Sequence, residues 1–239
     1  YRRCDRMVVL SEDMKRLLVD GGVAPHRIAI VPNWADTRQV VPIAHPGNTF
    51  RRQHGLEDTF LVMYSGNLGL TQRLEEFVEA ARVLQEDKKI VFAFVGQGSQ
   101  KLTLETLVNR LKLTNVRFFD YQPKSELAHS LSAADLHLVP LTRELSQCLM
   151  PSKLYGILAS GRPYLTNAVP ESELHQITVN QKLGLTVVPG NPEAIASAIR
   201  RVRSEPELLQ MMGQNGRRLA ESQYTLAASA SKFRQVLQG

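Results

Sequence analysis

Short apolar segments alternate with longer amphipathic segments along most of the chain. Residues 60–65 predict an apolar strand, and 90–95 are a continuous apolar run, which is typical of a strand buried on both faces of a sheet. Between them, apolar residues recur at helical spacing over 74–86. The same alternation predicts further strands and helices downstream: strands at 116–118, 135–141, 163–166 and 185–188, and helices at 99–112, 124–133, 152–159, 171–179 and 192–203.

This order of elements predicts the fold class. Six strands that alternate with helices form a parallel sheet through right-handed crossovers, with helices on both faces. We therefore expect an α/β fold of the Rossmann-like type.

Two further segments flank the predicted sheet. A strand at 7–10, a helix opened by Ser11 and a strand at 27–31 precede a stretch rich in Pro and Gly at 42–48. The last residues, 206–239, predict two helices with a break near Tyr224. We therefore divide the chain into segments 1–43, 44–222 and 223–239.

Composition excludes several classes of protein. The chain has 239 residues, of which 43% are hydrophobic and 22% are charged, as in ordinary globular proteins. No apolar run reaches the length of roughly 18 residues that a membrane span needs, and no signal-peptide pattern is present. The sequence starts at Tyr1 without methionine, so we expect a segment of a longer protein. Two cysteines far apart favour neither a disulfide scaffold nor a zinc site, and they fit a reducing cytoplasm.

Charge narrows the possible ligands. The formal net charge is +6, but the basic residues are scattered and no nucleic-acid motif accompanies them. We therefore expect no nucleic acid as partner, and an anionic lipid or a phosphorylated ligand stays open. The six histidines show no metal-ligand spacing, and neither a Ser-His-Asp order nor paired carboxylates stand out. Neither a metal nor a cofactor is predicted.

The start of one predicted helix differs from the others. In open parallel sheets, ligands bind outside the carboxyl ends of the strands, next to helix N-termini. Most predicted helices carry an acid in their first turn, whereas the helix at 152–159 begins with Ser152 and Lys153 and has none. A lysine opposes the helix dipole unless an anion is bound there. We expect Ser152 and Lys153 to bind a phosphate, and the alternative is a lysine that points to water.

Two glycine-containing loops follow strands at the same edge. Gly66 and Gly69 let backbone N–H groups face a ligand, and Arg73 in the same loop can reach a phosphate. Gly96 and Gly98 form a weaker signal, for which a simple turn is favoured over close approach to a ligand.

Short motifs in this order resemble the retaining glycosyltransferases of family four, the group 1 enzymes with the GT-B fold. The order and spacing of the motifs over about 180 residues make the resemblance specific, although each motif alone is weak. They are Val8-Val9-Leu10-Ser11-Glu12, Ile30-Val31-Pro32-Asn33-Trp34, Ser65-Gly66-Asn67-Leu68-Gly69, Gly96-Gln97-Gly98, Ala133-Ala134-Asp135, Pro151-Ser152-Lys153-Leu154-Tyr155 and Ala159-Ser160-Gly161-Arg162-Pro163.

The resemblance implies two Rossmann-like domains that face each other across a cleft. The C-terminal one, here 44–222, would bind a nucleoside-diphosphate sugar, with a UDP-sugar as the leading candidate, and 1–43 would be the end of the acceptor domain. The acceptor would be a glycan or a lipid-linked glycan, which places the protein in the cytoplasm or at the inner face of the membrane as a peripheral protein. The transfer would be retaining, of hexosyl type and without a required metal.

The resemblance also implies a set of donor-binding residues. Lys153 and Arg73 would stabilise the charge of the leaving diphosphate. Catalytic residues are expected in the acceptor domain, so this chain alone is expected to be inactive. The donor-binding set is Gly66, Asn67, Gly96, Gln122, Pro123, Ser152, Lys153 and Glu173, with the base near Gln122 and Pro123.

Some positions depart from the family pattern. Cys148 and Gly156 stand where many relatives carry two glutamates, and Asn67 and Gln72 stand where many carry Arg and Lys. Glu173 is the predicted substitute for the missing carboxylates. Two alternatives therefore stay open: a sugar-nucleotide epimerase with a GT-B-like fold, and a non-catalytic subunit that binds a nucleotide sugar.

Overall fold

The computed structural model describes residues 4–146 and 148–238. Residues 1–3, Gln147 and Gly239, which include the outer limits of segments 1–43 and 223–239, lie outside the described residues. The strands are β1 (Met7–Val9), β2 (Ile28–Ile30), β3 (Phe60–Ser65), β4 (Ile90–Val95), β5 (Val116–Phe119), β6 (Leu136–Leu138), β7 (Tyr164–Asn167) and β8 (Gly184–Val187). The helices are α1 (Glu12–Asp20), α2 (Thr49–His54), α3 (Glu75–Val83), α4 (Lys101–Arg110), α5 (Leu127–Ala133), α6 (Lys153–Ala159), α7 (Glu173–Asn180), α8 (Pro192–Arg203), α9 (Pro206–Gln223) and α10 (Leu226–Gln238).

Six of the strands form one parallel sheet in the order β5-β4-β3-β6-β7-β8. Successive side chains of a strand point to opposite faces. Val62 therefore packs with Phe77 of α3 on one face, whereas Leu61 packs with Phe50 of α2 on the other. The predicted α/β fold with helices on both faces is confirmed. The chain adds β4 and β5 on one side of β3, and then β6, β7 and β8 on the other side. In sheets of this kind, ligands bind at the carboxyl ends of the two strands between which the order reverses, here β3 and β6.

Most predicted elements are present, with ends that differ by at most three residues. The predicted strand at 135–141 is shortened most, because only Leu136–Leu138 form β6. Pro140 has no N–H to continue the ladder. At the other end, the Asp135 carboxylate accepts the Leu61 N–H at 2.7 Å instead of extending the strand.

Helix α2 was not predicted. It has only six residues, and Phe50 and Arg51 are its buried ones. Arg51 is 1% exposed, pairs with Asp135, and donates to the carbonyl oxygens of Ala133 at 2.7 Å and Thr59 at 3.0 Å. A buried arginine breaks the apolar periodicity from which helices are predicted, so the sequence pattern could not show this one.

The first and last segments lie against each other. Strands β1 and β2 pair in parallel as a separate two-stranded sheet. The chain then crosses to the end of α9, where the Ala35 N–H donates to the Tyr224 carbonyl at 2.9 Å. On α10, the Ser229 hydroxyl donates to the Pro32 carbonyl at 2.9 Å. Among the described residues, no helix has both the length and the apolar character that a membrane crossing requires.

Helix α9 packs tightly on α6, the helix that begins with Lys153. A Cβ atom at Gly213 would lie 2.2 Å from the Gly161 carbonyl oxygen, which leaves no room for a side chain. Arg217, one turn further, donates to the carbonyl oxygens of Ala159 at 2.6 Å and of Val40 at 2.7 Å. The C-terminal end of α6 is therefore held from two sides, by α9 and by the segment before α2.

We expect Gly213→Ala to lower the free energy of unfolding by about 2 kcal/mol, because the added methyl group overlaps a backbone oxygen. Gly47→Ala is the matched control, since a Cβ there meets nothing within 4 Å. It should change stability by less than about 0.5 kcal/mol. Urea denaturation followed by circular dichroism measures both variants. If Gly213→Ala and Gly47→Ala unfold at the same urea concentration, α9 does not approach the end of α6 this closely.

We expect His137 on β6 to make the protein less stable in mild acid. The ring is fully buried, its Nε2 lies 2.9 Å from the Leu131 carbonyl, and burial lowers its pKa from 6.5 to about 4. Between pH 6.5 and 4 the unfolded chain binds a proton at this position that the folded chain does not. The free energy of unfolding should therefore decrease as the pH falls, by at most about 3 kcal/mol from this residue.

Denaturation at pH 4.5, 5.5 and 7 tests this expectation. The pH dependence should be smaller in His137→Gln than in the wild type. His26→Gln, which changes an exposed histidine, should keep the wild-type dependence. The same dependence in all three proteins would rule out His137 as its source.

Candidate functional site

Two glycine loops meet at the carboxyl edge of the sheet, beside the point where strand order reverses. We call residues 66–69 and 96–98 the glycine loops. Their backbones are directly bonded, since the Leu68 N–H donates to the Gln97 carbonyl at 2.8 Å and the Gly66 N–H donates to the Val95 carbonyl at 2.9 Å. At Gly96, where φ is +145°, a Cβ atom would lie 2.0 Å from the Gly66 carbonyl oxygen. Gly96 therefore allows close approach of the other loop, a contact that the sequence did not indicate, and its predicted contact with a ligand stays a prediction.

Lys153, at the start of α6, extends its side chain to the first glycine loop. Its Nζ lies 3.7 Å from the centre of the Tyr64 ring on β3. A Cβ atom built on Gly66 would lie 3.3 Å from the same Nζ, so the ammonium group is adjacent to this glycine. The Tyr64 hydroxyl donates to the Asn67 carbonyl at 2.6 Å. The structure thus brings Gly66, Asn67 and Lys153 together. The Lys153 side chain points to the Tyr64 ring and the glycine loop, whereas the alternative was a lysine that points to water.

The charge of Lys153 has no counterion in the part of the chain that the structure describes. Lys153 forms no ion pair with a carboxylate of residues 4–146 or 148–238, and burial lowers the pKa of the amine from 10.5 to about 7. A nearby anion favours the charged form of an amine and would raise this pKa again. This position therefore suits a ligand that carries negative charge.

Arg73 lies at the same edge as Lys153, in the loop between β3 and α3. Its Nη2 is 3.3 Å from the Glu144 carboxylate, in the loop that follows β6. Both side chains are more than half exposed. Exposed ion pairs contribute about 0–1 kcal/mol, so this pair does not prevent Arg73 from binding another anion.

The loop after β5 reaches the second glycine loop through Tyr121. This ring is exposed, and its Cε1 atom would lie 3.4 Å from a Cβ on Gly96. The Gln122 side chain donates to the Asp120 carbonyl at 3.0 Å, and Pro123 precedes a short 3-10 turn. Ser152 is exposed just before α6, and its hydroxyl does not cap the helix.

Sequence reasoning missed two tyrosines of this region. Tyr64 could have been found as the one residue with a polar group inside an otherwise apolar part of β3, two positions before Gly66. Tyr121 could have been found as an aromatic residue next to the positions expected to bind a base. Both signals are weak, because tyrosine is also common in ordinary strands and loops.

Glu173 binds elsewhere in this structure. Its Oε2 accepts the N–H groups of Glu12 at 2.5 Å and Asp13 at 3.3 Å, while the Asp13 carboxylate accepts the Glu173 N–H at 2.7 Å. The N-termini of α1 and α7 therefore cap each other. The role of Glu173 as substitute for the missing carboxylates stays a prediction.

Cys148 and Gly156, at which the family resemblance leads us to expect glutamates, are uncharged residues in this chain. Cys148 is exposed and lines an apolar groove of about 350 Å³ beside β1 and α1. Gly156 lies inside α6, where a Cβ would be 3.2 Å from Leu131 Cδ1. Within residues 4–146 and 148–238, no group of three or more His, Cys, Asp or Glu side chains could hold a metal ion.

Comparison with known proteins identifies the family. The sequence profile of the glycosyl transferases of group 1 matches residues 47–219, which include both glycine loops, Lys153 and Arg73. The chain belongs to this family. Its relatives include WcaI of Escherichia coli (strain K12), provisionally named a colanic acid biosynthesis glycosyl transferase, which is 32% identical over 206 residues. That match covers 85% of this chain and 50% of WcaI.

A second relative and a solved structure extend the comparison. The UDP-Gal:α-D-GlcNAc-diphosphoundecaprenol α-1,3-galactosyltransferase of Escherichia coli is 22% identical over 240 residues, which cover 97% of this chain and 59% of that enzyme. The crystal structure of Anabaena Alr3699/HepE in complex with UDP matches with a TM-score of 0.82 at 14% identity. It covers 99% of this chain and 64% of that protein, and it supports the fold. The chain thus spans only about half to three-fifths of these curated relatives.

We expect Glu173→Gln to lower the free energy of unfolding by about 1 kcal/mol, because the mutual cap loses its negative charge at two helix N-termini. If the carboxylate serves only this cap, as its contacts with α1 indicate, the affinity for UDP stays unchanged. Glu171→Gln, which changes an exposed carboxylate two residues away, is the control. Denaturation and calorimetry with UDP measure the two effects. Weaker UDP binding at unchanged stability would instead support Glu173 as a donor-binding residue.

Proposed function

We propose that this chain is the donor-binding part of a retaining glycosyltransferase. This part binds the diphosphate of a UDP-sugar at the carboxyl edge of the sheet. One observation carries the proposal: the Lys153 amine lies against Gly66 and the Tyr64 ring, with no carboxylate partner among the described residues. A partly buried cation without a counterion is costly, and a bound diphosphate would remove that cost.

The residues at this edge have separate roles in the proposal. Lys153 and Arg73 neutralise the diphosphate as the bond between the sugar and the β-phosphate breaks and negative charge develops on the leaving UDP. The backbones of Gly66, Asn67 and Gly96 allow the phosphates to approach closely, together with Ser152. The base lies near Gln122 and Pro123. The reaction requires no metal in this proposal, because the positive side chains supply the charge.

The relatives support the class of donor and acceptor. One relative is named for UDP-Gal and a diphosphoundecaprenol acceptor, another for colanic acid, and a structure with the same fold holds UDP. We therefore propose transfer of a hexosyl group to a glycan or lipid-linked glycan. A lipid-linked acceptor places the enzyme at the inner face of the membrane as a peripheral cytoplasmic protein, and the net charge of +6 suits an anionic surface.

The division of the chain follows from this proposal. Residues 44–222 form the donor domain, 1–43 are the end of the acceptor domain with the hinge, and 223–239 form a C-terminal helix. The remaining acceptor domain, with the catalytic residues, is outside these residues. The chain alone binds the donor without turnover.

A non-catalytic nucleotide-sugar-binding subunit is the second candidate. Cys148 and Gly156 favour it, because the carboxylates that relatives place at these positions are missing. Donor hydrolysis or transfer by the full-length protein separates the two functions, since only an enzyme releases UDP from a UDP-sugar.

We expect Lys153→Met to weaken UDP binding about 10-fold to 100-fold at pH 7, because one charge-assisted contact to the diphosphate is lost. Uridine, which has no phosphate, should bind the variant as it binds the wild type. Lys232→Met, which removes an exposed charge on α10, is the matched control and should keep the wild-type affinity. Titration calorimetry measures the three proteins. Absence of binding by the wild type to UDP, ADP and GDP alike would contradict the proposed function.

A further inference from the structure

Tyr64 makes two different contacts at the centre of the site. The side chain is 0% exposed, its hydroxyl donates to the Asn67 carbonyl, and the face of its ring lies 3.7 Å from Lys153 Nζ. The hydroxyl contact fixes the first glycine loop. The ring contact is a cation–π interaction, in which the negative face of the ring attracts an ammonium group. One residue therefore determines the position of both the loop and the cation.

Among the described residues, no carboxylate forms an ion pair with Lys153. On β6, the buried His137 is neutral at pH 7, because burial lowers its pKa to about 4. Tyr155 on α6 is also neutral, since burial raises its pKa. Arg73 and Glu144 are paired with each other at the exposed side of the same edge. Burial is the only cause of the lowered pKa of Lys153.

Two consequences follow for the amine without a ligand. It depends on the Tyr64 ring for its position, because it forms no hydrogen bond to another side chain among the described residues. It also exchanges between the neutral and the charged form near neutral pH, since burial lowers its pKa to about 7. A diphosphate beside Nζ strongly favours the charged form.

We propose that Tyr64 is the positioning residue that holds Lys153 for the donor diphosphate, and that the diphosphate binds with uptake of one proton by the Lys153 amine. This inference rests on the proposed donor site. The protonated buffer gives up the proton: its own N–H bond breaks as the third N–H bond of the ammonium group forms, and no bond within the donor changes. Donor affinity therefore decreases as the pH rises above neutrality.

Proton uptake is measured by titration with UDP at pH 8 in Tris and in HEPES, whose ionisation enthalpies differ. UDP itself is fully ionised at this pH. The difference in observed heat should correspond to nearly one proton per UDP in the wild type. In the wild type the affinity for UDP should fall by close to tenfold per pH unit between pH 7.5 and 9.

Lys153→Arg is the decisive variant for the proton, because a guanidinium stays charged throughout this range. It should bind UDP without proton uptake and without the pH dependence. If Lys153→Arg does not bind UDP, Lys153→Met takes its place and should also show no uptake. Uptake of a proton by either variant, or no uptake by the wild type, overturns the linkage.

Tyr64 is tested by two variants that separate the ring from the hydroxyl. Tyr64→Phe keeps the ring face and should bind UDP within about threefold of the wild type, with the same proton uptake. Tyr64→Leu removes the ring and should bind UDP about 3-fold to 30-fold more weakly, as expected for loss of a cation–π contact. In Tyr64→Leu the affinity for UDP should begin to fall at a lower pH than in the wild type, because the ring no longer stabilises the ammonium form of Lys153.

The outcomes are distinguishable from failure of the proposed function. If the wild type does not bind UDP, the donor site itself is wrong. If it binds UDP and Lys153→Met weakens that binding while Tyr64→Leu has the wild-type affinity and pH profile, only the role of Tyr64 is wrong. If Tyr64→Leu does not fold, Tyr64→Phe decides: loss of affinity or of proton uptake there overturns the role of the ring.

Discussion

The site depends on the close approach of two backbone segments at the carboxyl edge of the sheet. Gly96 leaves room for the Gly66 carbonyl oxygen, which a Cβ atom would meet at 2.0 Å. Two further hydrogen bonds, from Leu68 to Gln97 and from Gln100 to Leu68, join the loops that follow β3 and β4. Gly66 leaves room for Lys153, because a Cβ atom at residue 66 would lie 3.3 Å from the ammonium nitrogen. Any larger residue at 96 would separate the loops and displace this cation.

The distribution of charge around this edge explains what kind of ligand it suits. The Lys153 amine is partly buried and has no carboxylate partner in the described part of the chain, whereas Arg73 is exposed and paired. Glu173, the nearest predicted replacement for the missing glutamates, is engaged with the N-terminus of α1. The first segment of the chain is thus bonded to α7 directly. The Lys153 amine beside Gly66 therefore keeps no carboxylate partner among the described residues, and a diphosphate would supply the negative charge that it lacks.

Several predictions from sequence were confirmed because they rest on local patterns. The apolar runs of β3 and β4 indicate strands that are buried on both faces, and the helical spacing over α3 indicates a helix that is buried on one face. Both patterns can be recognised from residues that are close in sequence. The chain contained no such signal for α2, since its buried Arg51 depends on a carboxylate 84 positions away. The same limit applies to Glu173, whose partners lie 160 and 161 positions earlier.

The sequence by itself determined the order of strands and helices, the parallel sheet and the edge at which Lys153 and Arg73 lie. The spacing of hydrophobic residues, the positions of the glycines and the alternation of strands with helices can all be recognised from residues close in sequence. Only the tertiary structure decided the partners of these groups. Tyr64 meets Lys153, Glu144 meets Arg73 and Asp13 meets Glu173 through contacts between elements distant in the chain. Such contacts depend on how whole helices pack against the sheet, and no local pattern of residues records that packing.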